Sequence, residues 1–296
     1  MKIFLTGATG FIGSRVLKEL LEHGHQVTCL ARSSESKDKI IEMGGEPVLG
    51  DLEALETIKE LVRNVDAVIH LAFIHDFTNM EYSALVDKNF ILTVGNELSS
   101  TNKSFLVTSA LGEVVGNQVH FEKRVKETGS SRGTNEMVAL DFGAKGVNVT
   151  VIRPAPIVYD KGHSFFLDAM FHFAEEKGIS YYDNKEYKWS AINVNDLARL
   201  YRLAIEKGEN NTIYHGVGEK EVSLKSIAQA IGRELKLPIK GVSSAELANN
   251  VSWLAPFVTR NIVGNNDNSI NNLLWEPLFP SLLEELDYYN TTDKNF

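Results

Sequence analysis

Short apolar runs alternate with amphipathic stretches along the first 153 residues of the chain. The runs lie at residues 3–5, 26–30, 46–52, 66–72, 105–109 and 147–153. A run as continuous as 66–72 is typical of a strand buried on both faces. Between the runs, apolar residues recur three and four positions apart, which predicts helices, among them 36–43, 80–100 and 131–145. Six strand–helix alternations predict an α/β fold with a doubly wound parallel sheet.

After residue 155 the periodicity becomes shorter and less regular. We expect helices over 164–177, 197–207, 223–235 and 279–289, with short strands near 179–182, 189–193 and 212–215. Asn195 and Asp196 are expected to cap the second of these helices, and six asparagines in 261–272 favour a loop. No linker divides the chain. We therefore expect a nucleotide-binding domain over 1–155 and a smaller α/β substrate lobe over 156–296, with some elements crossing over.

The first apolar run leads directly into a glycine-rich turn and then into a helical pattern. Gly7 permits a tight turn, Gly10 lets the backbone approach a pyrophosphate, and Gly13 lets helix and strand pack closely. The helix N-terminus adds N–H groups that bind phosphate. Strand, turn and helix in this order predict a dinucleotide site, against a purely structural turn as the alternative. Its candidate residues are Gly7, Thr9, Gly10, Phe11, Ile12 and Gly13.

The end of the second predicted strand bears on which dinucleotide binds. An acidic residue there accepts from a ribose 2′-OH, whereas an arginine accommodates a 2′-phosphate. This chain has Arg32 and Ser33 there, and no carboxylate before Glu35. The pattern favours NADP(H) over NAD(H), unless Arg32 is only a solvated surface residue. Asp51 and Leu52, at the end of the third strand, are assigned to the adenine side, where Asp51 also has the option of capping a helix near residue 53.

Composition narrows the function classes further. A formal net charge of −9 argues against a nucleic-acid partner. The sequence contains no run of 18 apolar residues, so no membrane span is predicted. The single cysteine, Cys29, lies in an apolar run and is expected to be a buried, inert thiol. The histidines lack metal-ligand spacing. We expect no bound metal, a cytoplasmic location without a targeting leader, and a monomer or homodimer.

Five blocks of sequence follow one another along the chain. They are Thr6-Gly7-Ala8-Thr9-Gly10-Phe11-Ile12-Gly13, Gly50-Asp51-Leu52, Asp66-Ala67-Val68-Ile69-His70-Leu71-Ala72, Asn89 and Val151-Ile152-Arg153-Pro154. In this order they resemble the NAD-dependent epimerase/dehydratase group of extended or atypical short-chain dehydrogenases/reductases. The resemblance implies a Rossmann-type sheet, a nicotinamide cofactor and a small-molecule substrate. Because ligands of such sheets bind beyond the strands' carboxyl ends, the cofactor is also assigned to Ala72, Phe73, Thr108, Arg132 and Pro154.

The resembled family transfers protons with a Ser or Thr after the fifth strand and a Tyr-x-x-x-Lys on the next helix. Counting back from Asn135, which resembles the end of that helix motif, puts Thr128 at the Tyr position and Arg132 at the Lys position. The Ser/Thr position falls on Ala110, or on Ser109 with a shift of one residue. An arginine supplies charge and hydrogen bonds but stays protonated, and an aliphatic hydroxyl is too weak an acid to replace a phenol. We therefore expect a non-standard proton relay.

Other side chains near the predicted strand ends offer proton transfer or substrate contacts. His75 follows the fourth strand, and Tyr159 and His163 follow the sixth. Histidine titrates near neutrality, so His75, Tyr159 and Arg132 are the catalytic candidates. His75, Tyr159, His163 and Trp189 are the substrate candidates. For each of them an ordinary surface or pocket-lining role is the alternative.

Together these patterns predict an NAD(P)-dependent oxidoreductase or epimerase-like enzyme. It would act by hydride transfer on a small carbonyl or alcohol, with a nucleotide sugar among the candidate substrates. The alternative is a non-catalytic protein that binds NADP(H) and senses its redox state. The missing Tyr and Lys favour the sensor, whereas the substrate lobe favours the enzyme.

Overall fold

The computed structural model describes residues 1–76, 78–113, 119–125 and 131–287. Its strands are β1 (Lys2–Thr6), β2 (Gln26–Ala31), β3 (Glu46–Leu49), β4 (Ala67–His70), β5 (Ser104–Thr108), β6 (Asn148–Pro154), β7 (Ile157–Tyr159), β8 (Ser180–Asp183), β9 (Lys188–Asn193), β10 (Thr212–Gly216), β11 (Glu219–Ser223) and β12 (Ile239–Val242). Its α-helices are α1 (Phe11–Glu22), α2 (Ser34–Glu42), α3 (Leu55–Arg63), α4 (Met80–Leu98), α5 (Ser131–Asp141), α6 (Phe165–Lys177), α7 (Val194–Lys207), α8 (Leu224–Glu234), α9 (Ser244–Val251), α10 (Ala255–Val258), α11 (Asp267–Leu273) and α12 (Leu282–Leu286).

Seven strands form one parallel sheet in the order β10-β6-β5-β4-β1-β2-β3. Strand β1 lies inside the sheet, with Leu5 opposite Cys29 of β2 on one side and Ile69 of β4 on the other. The chain adds β2 and β3 on the first side of β1 and the later strands on the second. The order therefore reverses at β1, and doubly wound sheets bind ligands in the crevice at such a point. The predicted fold class is confirmed.

The second half of the chain completes this sheet. Strand β10 pairs with β6, Ile213 lying opposite Val151, and helix α7 packs against α1. The remaining strands form two small sheets, β11-β9-β7 and β12-β8. Elements from beyond residue 155 thus belong to the main sheet as well as to the smaller lobe, and the boundary at 155 stays a prediction.

The core has two layers because helices cover both faces of the sheet. Ile3 and Leu5 point to one layer, which contains the buried side of α1, and Phe4 points to the other, which contains Phe90 of α4. Burying one such side chain contributes roughly 1.5–3 kcal/mol. Cys29 lies in the first layer with none of its surface exposed, and burial raises the pKa of its thiol to about 12. The predicted inert thiol agrees with this environment.

Two predictions about local structure in the second half are wrong. Helix α7 begins at Val194, and its cap is Asn193, whose side chain accepts from the Asn195 N–H. The Asp196 carboxylate instead accepts from the backbone of the 278–279 segment, 2.9 Å from the Leu278 nitrogen. The asparagine-rich stretch 261–272 is not only a loop, because it contains most of α11.

Asp51 does not cap the helix that follows it. Helix α3 begins at Leu55 after Ala54, and the Asp51 Oδ1 accepts from the Glu53 N–H at 2.9 Å. This bond stabilises the turn before the helix. The helix predicted over 131–145 is shorter in the structure, because α5 ends at Asp141 and a 3₁₀ turn occupies Phe142–Lys145.

Candidate cofactor and substrate site

The glycine turn between β1 and α1 excludes side chains at two positions. Gly7 has a φ of +77°, and a Cβ there would lie 2.8 Å from the Ala72 nitrogen. A Cβ on Gly13 would lie 1.9 Å from the Gly7 oxygen. Both separations are shorter than van der Waals contact, so glycine is required for the turn and for the close packing of α1 on it.

The start of α1 has the geometry of a phosphate site. Gly10 donates its N–H to the Gly7 oxygen at 3.0 Å, and no side chain caps the first turn of the helix. First-turn N–H groups lack intrahelical acceptors and carry a partial positive charge. Thr9 and Gly10 are exposed, and Phe11 and Ile12 are half-buried. The cradle therefore fits a dinucleotide pyrophosphate.

Buried hydrogen bonds hold the glycine turn against β4. The Thr6 hydroxyl accepts from the N–H groups of Leu71 and Ala72, at 3.2 and 3.1 Å. It therefore donates its own proton to His70 Nδ1, at 2.8 Å. This leaves the His70 Nε2–H to donate to Asp87 of α4, at 3.0 Å. His70 is thus a buried histidine with both ring nitrogens hydrogen-bonded.

The same chain of bonds continues to α5. Asp87 also accepts from Asn135 Nδ2 at 2.6 Å, and that nitrogen donates in addition to the Ala84 carbonyl at 2.8 Å. Asn135 lies one turn beyond Arg132, so this network fixes the helix that carries Arg132 relative to the glycine turn. Sequence reasoning missed Asp87 and Asn135 in this role, because nothing in their spacing shows that α4 and α5 meet there.

Arg132 lies beside the loop that follows β4. Its guanidinium carbon is 4.2 Å from the centroid of the Phe73 ring. It is half-buried, and among the residues that the structure describes it has no hydrogen bond or ion pair. A stacked guanidinium without a counter-ion suits an anionic or oxygen-rich ligand. Its predicted neighbours Ala72 and Phe73 are half-buried at the same edge.

His75 extends this edge toward solvent. Its ring centroid is 5.3 Å from that of Phe73, and its side chain is exposed on one side. Burial of the rest of the ring, and then the charge of Arg132, lowers the pKa of His75. The imidazole is therefore mostly neutral at pH 7 and available for proton exchange.

The segment after β5 holds the next candidate. Ser109 follows Thr108 directly and is 3% exposed, and its hydroxyl has no hydrogen-bond partner among the described residues. Leaving a buried hydroxyl unbonded costs free energy, and such groups are typical of sites completed by a ligand. Of the two registers considered for the family's Ser/Thr, this geometry favours Ser109 over the half-buried Ala110. Thr128, assigned to the Tyr position, lies outside the described residues.

Two other predicted cofactor residues lie within the sheet. The Thr108 hydroxyl is 2.8 Å from the Tyr201 hydroxyl of α7, so it faces away from Ser109. Pro154 is buried at the end of β6. Both residues are the last of their strands and so lie at the carboxyl edge of the sheet.

The opposite end of the crevice suits the adenosine part of a dinucleotide. Arg32 is exposed at the end of β2 and has no ion pair with any described residue. Ser33 caps α2, its hydroxyl accepting from the Ser36 N–H at 3.1 Å. Leu52 is buried and Asp51 is exposed beside it. A cation and a helix N-terminus here are compatible with a phosphate.

The geometry of Tyr159 argues against a catalytic role. Tyr159 is 2% exposed, and its hydroxyl donates to the Pro280 carbonyl at 2.8 Å and to Glu219 Oε1 at 3.0 Å. Burial, followed by the charge of Glu219, raises the pKa of the phenol. A buried phenol whose proton is already shared between two acceptors is poorly suited to protonate a substrate.

His163 and Trp189 are also buried. His163 is 3% exposed, with Nδ1 3.1 Å from Asp168 Oδ1. Trp189 has no exposed surface, and its Nε1–H donates to the Arg260 carbonyl at 3.2 Å. These positions argue against direct substrate contacts by either ring, since each packs inside the smaller lobe.

A second buried network anchors residues 119–125 over β6. Arg153 pairs with Glu136, Nε to Oε2 at 2.9 Å, and donates to the Phe121 carbonyl at 3.4 Å. It also donates to His215 Nε2 at 3.3 Å, while His215 Nδ1–H donates to the Asn265 carbonyl at 2.8 Å. Burial, and then the Arg153 charge, lowers the pKa of His215 to about 3. This histidine is neutral and structural.

Two further kinds of feature were searched for within the described ranges. No three His, Cys, Asp or Glu side chains there come together in a way that would hold a metal ion. In the same ranges, no helix combines the length and apolar character that crossing a membrane requires.

The sheet and its glycine turn define a dinucleotide-binding α/β protein. The chain belongs to the NAD dependent epimerase/dehydratase family, whose model matches residues 3–215. It is 36% identical over 292 residues to the uncharacterized protein C2A9.02 of Schizosaccharomyces pombe, covering 97% of this chain and 98% of that protein.

Two further similarities are more distant. Over 273 residues, 86% of this chain and 81% of the relative, it is 24% identical to 4-hydroxy-2-methyl-3-oxo-4-farnesyl-3,4-dihydroquinoline-1-oxide ketoreductase of Stigmatella aurantiaca. Its fold is similar to that of dTDP-glucose 4,6-dehydratase from Bacillus anthracis in complex with NAD. The TM-score is 0.75 at 17% identity, with 100% of this chain and 97% of that chain covered.

Proposed function

We propose that this protein is an NAD(P)-dependent oxidoreductase that interconverts a small carbonyl compound and its alcohol. The observation that carries the proposal is the pairing of a dinucleotide cradle with Arg132, a half-buried guanidinium that has no counter-ion among the described residues. The more distant relative named above is a ketoreductase, which supports carbonyl chemistry over other reactions of the family.

In this proposal the cofactor lies across the carboxyl edge of the sheet. The turn at Gly7–Gly13 and the first turn of α1 hold the pyrophosphate. Arg32, with the N-terminus of α2, binds a ribose 2′-phosphate, so NADP(H) is preferred over NAD(H). When bound, the nicotinamide supplies or accepts the hydride.

Residues other than the family's usual tyrosine transfer the proton to the substrate oxygen. His75 gives a proton to the carbonyl oxygen as that oxygen gains negative charge, and recovers one from solvent. Ser109 donates a hydrogen bond that orients the substrate oxygen. Arg132 stabilises the developing charge and contacts the nicotinamide ribose.

The test is NADPH consumption by the full-length protein with a panel of aldehydes and ketones, compared with NADH. We expect turnover of at least one carbonyl, with a rate that falls as pH rises because protonated His75 is depleted. His75→Gln should remove that pH dependence. NADPH binding without turnover of any carbonyl would contradict the proposal and favour the redox sensor, which further requires unequal affinities for NADP⁺ and NADPH.

A further inference from the structure

We propose that the carbonyl substrate carries a carboxylate, and that Arg260 binds this carboxylate beside the turn that follows β5. The inference rests on the proposed function, because it names the class of substrate for the same site. It divides small carbonyl compounds into two groups. A simple aldehyde or ketone is uncharged, whereas an oxo acid has an anionic group that an arginine recognises.

The Arg260 guanidinium has more hydrogen-bond donors than acceptors around it. A guanidinium stays protonated and carries five N–H donors. Within the described ranges, the one acceptor that these donors reach is the Gly112 carbonyl, 3.1 Å from Nη2, and Nε is buried without a partner. Arg260 also forms no ion pair there, with Glu113 or with any other described carboxylate. A carboxylate matches this need, since it accepts two parallel bonds from one guanidinium.

Arg153 provides a comparison with an arginine that is purely structural. It has no exposed surface, and its Nε donates to Glu136 Oε2 at 2.9 Å. Its remaining nitrogens donate to the carbonyls of Phe121 and Lys123, at 3.4 and 3.3 Å. Its charge and its donors are therefore both satisfied inside the protein. The half-buried Arg260 has neither a counter-ion nor a full set of acceptors among the described residues, which is unfavourable unless a ligand supplies them.

A tight turn connects Arg260 to the substrate end of β5. Ser109 follows the last residue of that strand, and the next residues form a turn closed by a 3.1 Å bond from the Glu113 N–H to the Ala110 carbonyl. Gly112 lies within this turn, where Cα atoms three residues apart are separated by less than about 7 Å. The Arg260 guanidinium is therefore held beside the segment whose hydroxyl we assign to the substrate oxygen.

Two backbone contacts hold the chain that follows Arg260 at the same place. A Cβ on Gly264 would lie 2.9 Å from Leu111 Cδ1, so the glycine lets this chain pack directly on the turn. The Val263 carbonyl accepts from the His120 N–H at 2.8 Å. Three segments thus meet at the carboxyl end of β5, the edge at which doubly wound sheets bind their ligands.

His120 brings another donor to this meeting point. It is 7% exposed, and its ring forms no hydrogen bond with a residue that the structure describes. Burial, and then the charges of Arg153 and Arg260, lowers the pKa of His120. The ring is therefore neutral at pH 7 and keeps one N–H donor. An imidazole N–H near an unpaired guanidinium adds to the attraction for an anion.

The decisive measurement compares charged and neutral forms of one aldehyde, using the full-length protein at saturating NADPH. The substrates are the semialdehydes of succinate, glutarate and adipate, each with its methyl ester. We expect kcat/KM of at least one acid to exceed that of its ester by roughly 30-fold, the effect of a hydrogen bond to a charged group. Arg260→Gln should remove this preference and leave the ester within about twofold, and Arg260→Lys should retain part of it.

The ester also serves as the internal control for folding, because a misfolded variant loses both substrates. The matched control variant is Arg233→Gln, which removes an exposed arginine paired with Asp287 in the smaller lobe. It should change neither value. Equal loss of acid and ester in Arg260→Gln would make Arg260 structural and overturn the proposal, as would equal turnover of acid and ester by the unaltered protein or preferred turnover of UDP-glucose.

A binding measurement separates this inference from the activity. Calorimetric titration of the NADPH complex with the three corresponding hydroxy acids, which NADPH does not reduce, should give a dissociation constant that rises at least about tenfold in Arg260→Gln. Such binding without turnover of any carbonyl would reject the proposed function and retain the carboxylate site. Equal affinity in the unaltered protein and Arg260→Gln, or no binding of any of the three acids, would overturn the carboxylate site.

Discussion

The guanidinium of Arg132 stacks on the Phe73 ring at 4.2 Å, which joins the start of α5 to the loop after β4. The stack holds a positive charge in place without neutralising it. A lysine at this position would lack the planar group that the ring supports. The Phe73 ring therefore holds the charged Arg132 guanidinium in place at the edge of the sheet to which we assign the nicotinamide.

Arg132→Ala should lower kcat/KM by about 100-fold, because one positioned charge donor contributes roughly this much to transition-state stabilisation. Arg132→Lys should recover only part of the loss. The matched control is Arg63→Ala, which removes an exposed arginine paired with Glu97 and should leave kcat/KM unchanged. Steady-state kinetics on the best carbonyl substrate measures all three, and equal effects of Arg132→Ala and Arg63→Ala would contradict the assignment.

Ser109→Ala should separate catalysis from stability. The buried hydroxyl has no described partner, so its removal is expected to leave the free energy of unfolding unchanged or to raise it by up to about 1 kcal/mol. If the hydroxyl binds the substrate oxygen, kcat should fall by about tenfold or more. Urea unfolding of the cofactor-free protein and steady-state kinetics provide the two readouts. A stable variant with full activity would remove Ser109 from the site.

Arg32→Glu should reverse the cofactor preference. The carboxylate repels a 2′-phosphate and accepts from a 2′-OH, so the ratio of the NADPH to NADH dissociation constants should rise by more than about tenfold. Lys37→Glu, on the exposed side of α2, makes the same change of charge as a control. Fluorescence titration with each dinucleotide measures the ratio. If both variants shift it equally, the effect is one of net charge and not of a phosphate site.

Acid should destabilise the protein through His215. Its folded-state pKa is lowered to about 3 by burial and by Arg153, whereas an unfolded histidine titrates near pH 6.5. The stabilisation is therefore complete above about pH 6.5 and is lost as the pH falls toward 3, at roughly 1.4 kcal/mol per pH unit.

His215→Gln should be less stable at pH 7, by about 1–3 kcal/mol, and should lack this part of the pH dependence. Urea unfolding of both proteins between pH 7 and pH 5 gives the difference in slope. His120, whose pKa is also lowered by burial and by Arg153, remains in both proteins, and its charge is one of the causes that lower the pKa of His215, so the difference in slope includes the coupling between the two histidines. Parallel stability profiles would exclude His215 as the source.

Cys29 should not react in the folded protein. The thiol is fully buried and its pKa is about 12, so the reactive thiolate is scarce and inaccessible. Labelling with a disulfide reagent at pH 8 should be slow in buffer and fast in urea. Because the chain has one cysteine, the slow rate reports opening of the β1–β2 region directly. Rapid labelling under native conditions would contradict the described packing.

Local patterns predicted the strand ends and the turn between β1 and α1, because each depends on residues close together in sequence. Arg132 was assigned from the family resemblance, and its role stays a prediction. Asp196 was misassigned because its acceptor oxygens are used by the 278–279 backbone, about 80 residues away. Ser109 was left open for a different reason, since an unbonded hydroxyl is visible only after every neighbour has been placed.

Strand β10 is the last strand added to the main sheet, and this affects the chain while it is being synthesised. On the ribosome, residues 1–155 emerge before β10 exists, so the outer edge of β6 has no partner strand and α1 has no α7 to cover it. An unpaired apolar edge invites aggregation until residue 216 has been synthesised. A fragment ending at 155 should therefore be recovered mainly as aggregate, whereas one extended to 216 should stay dispersed.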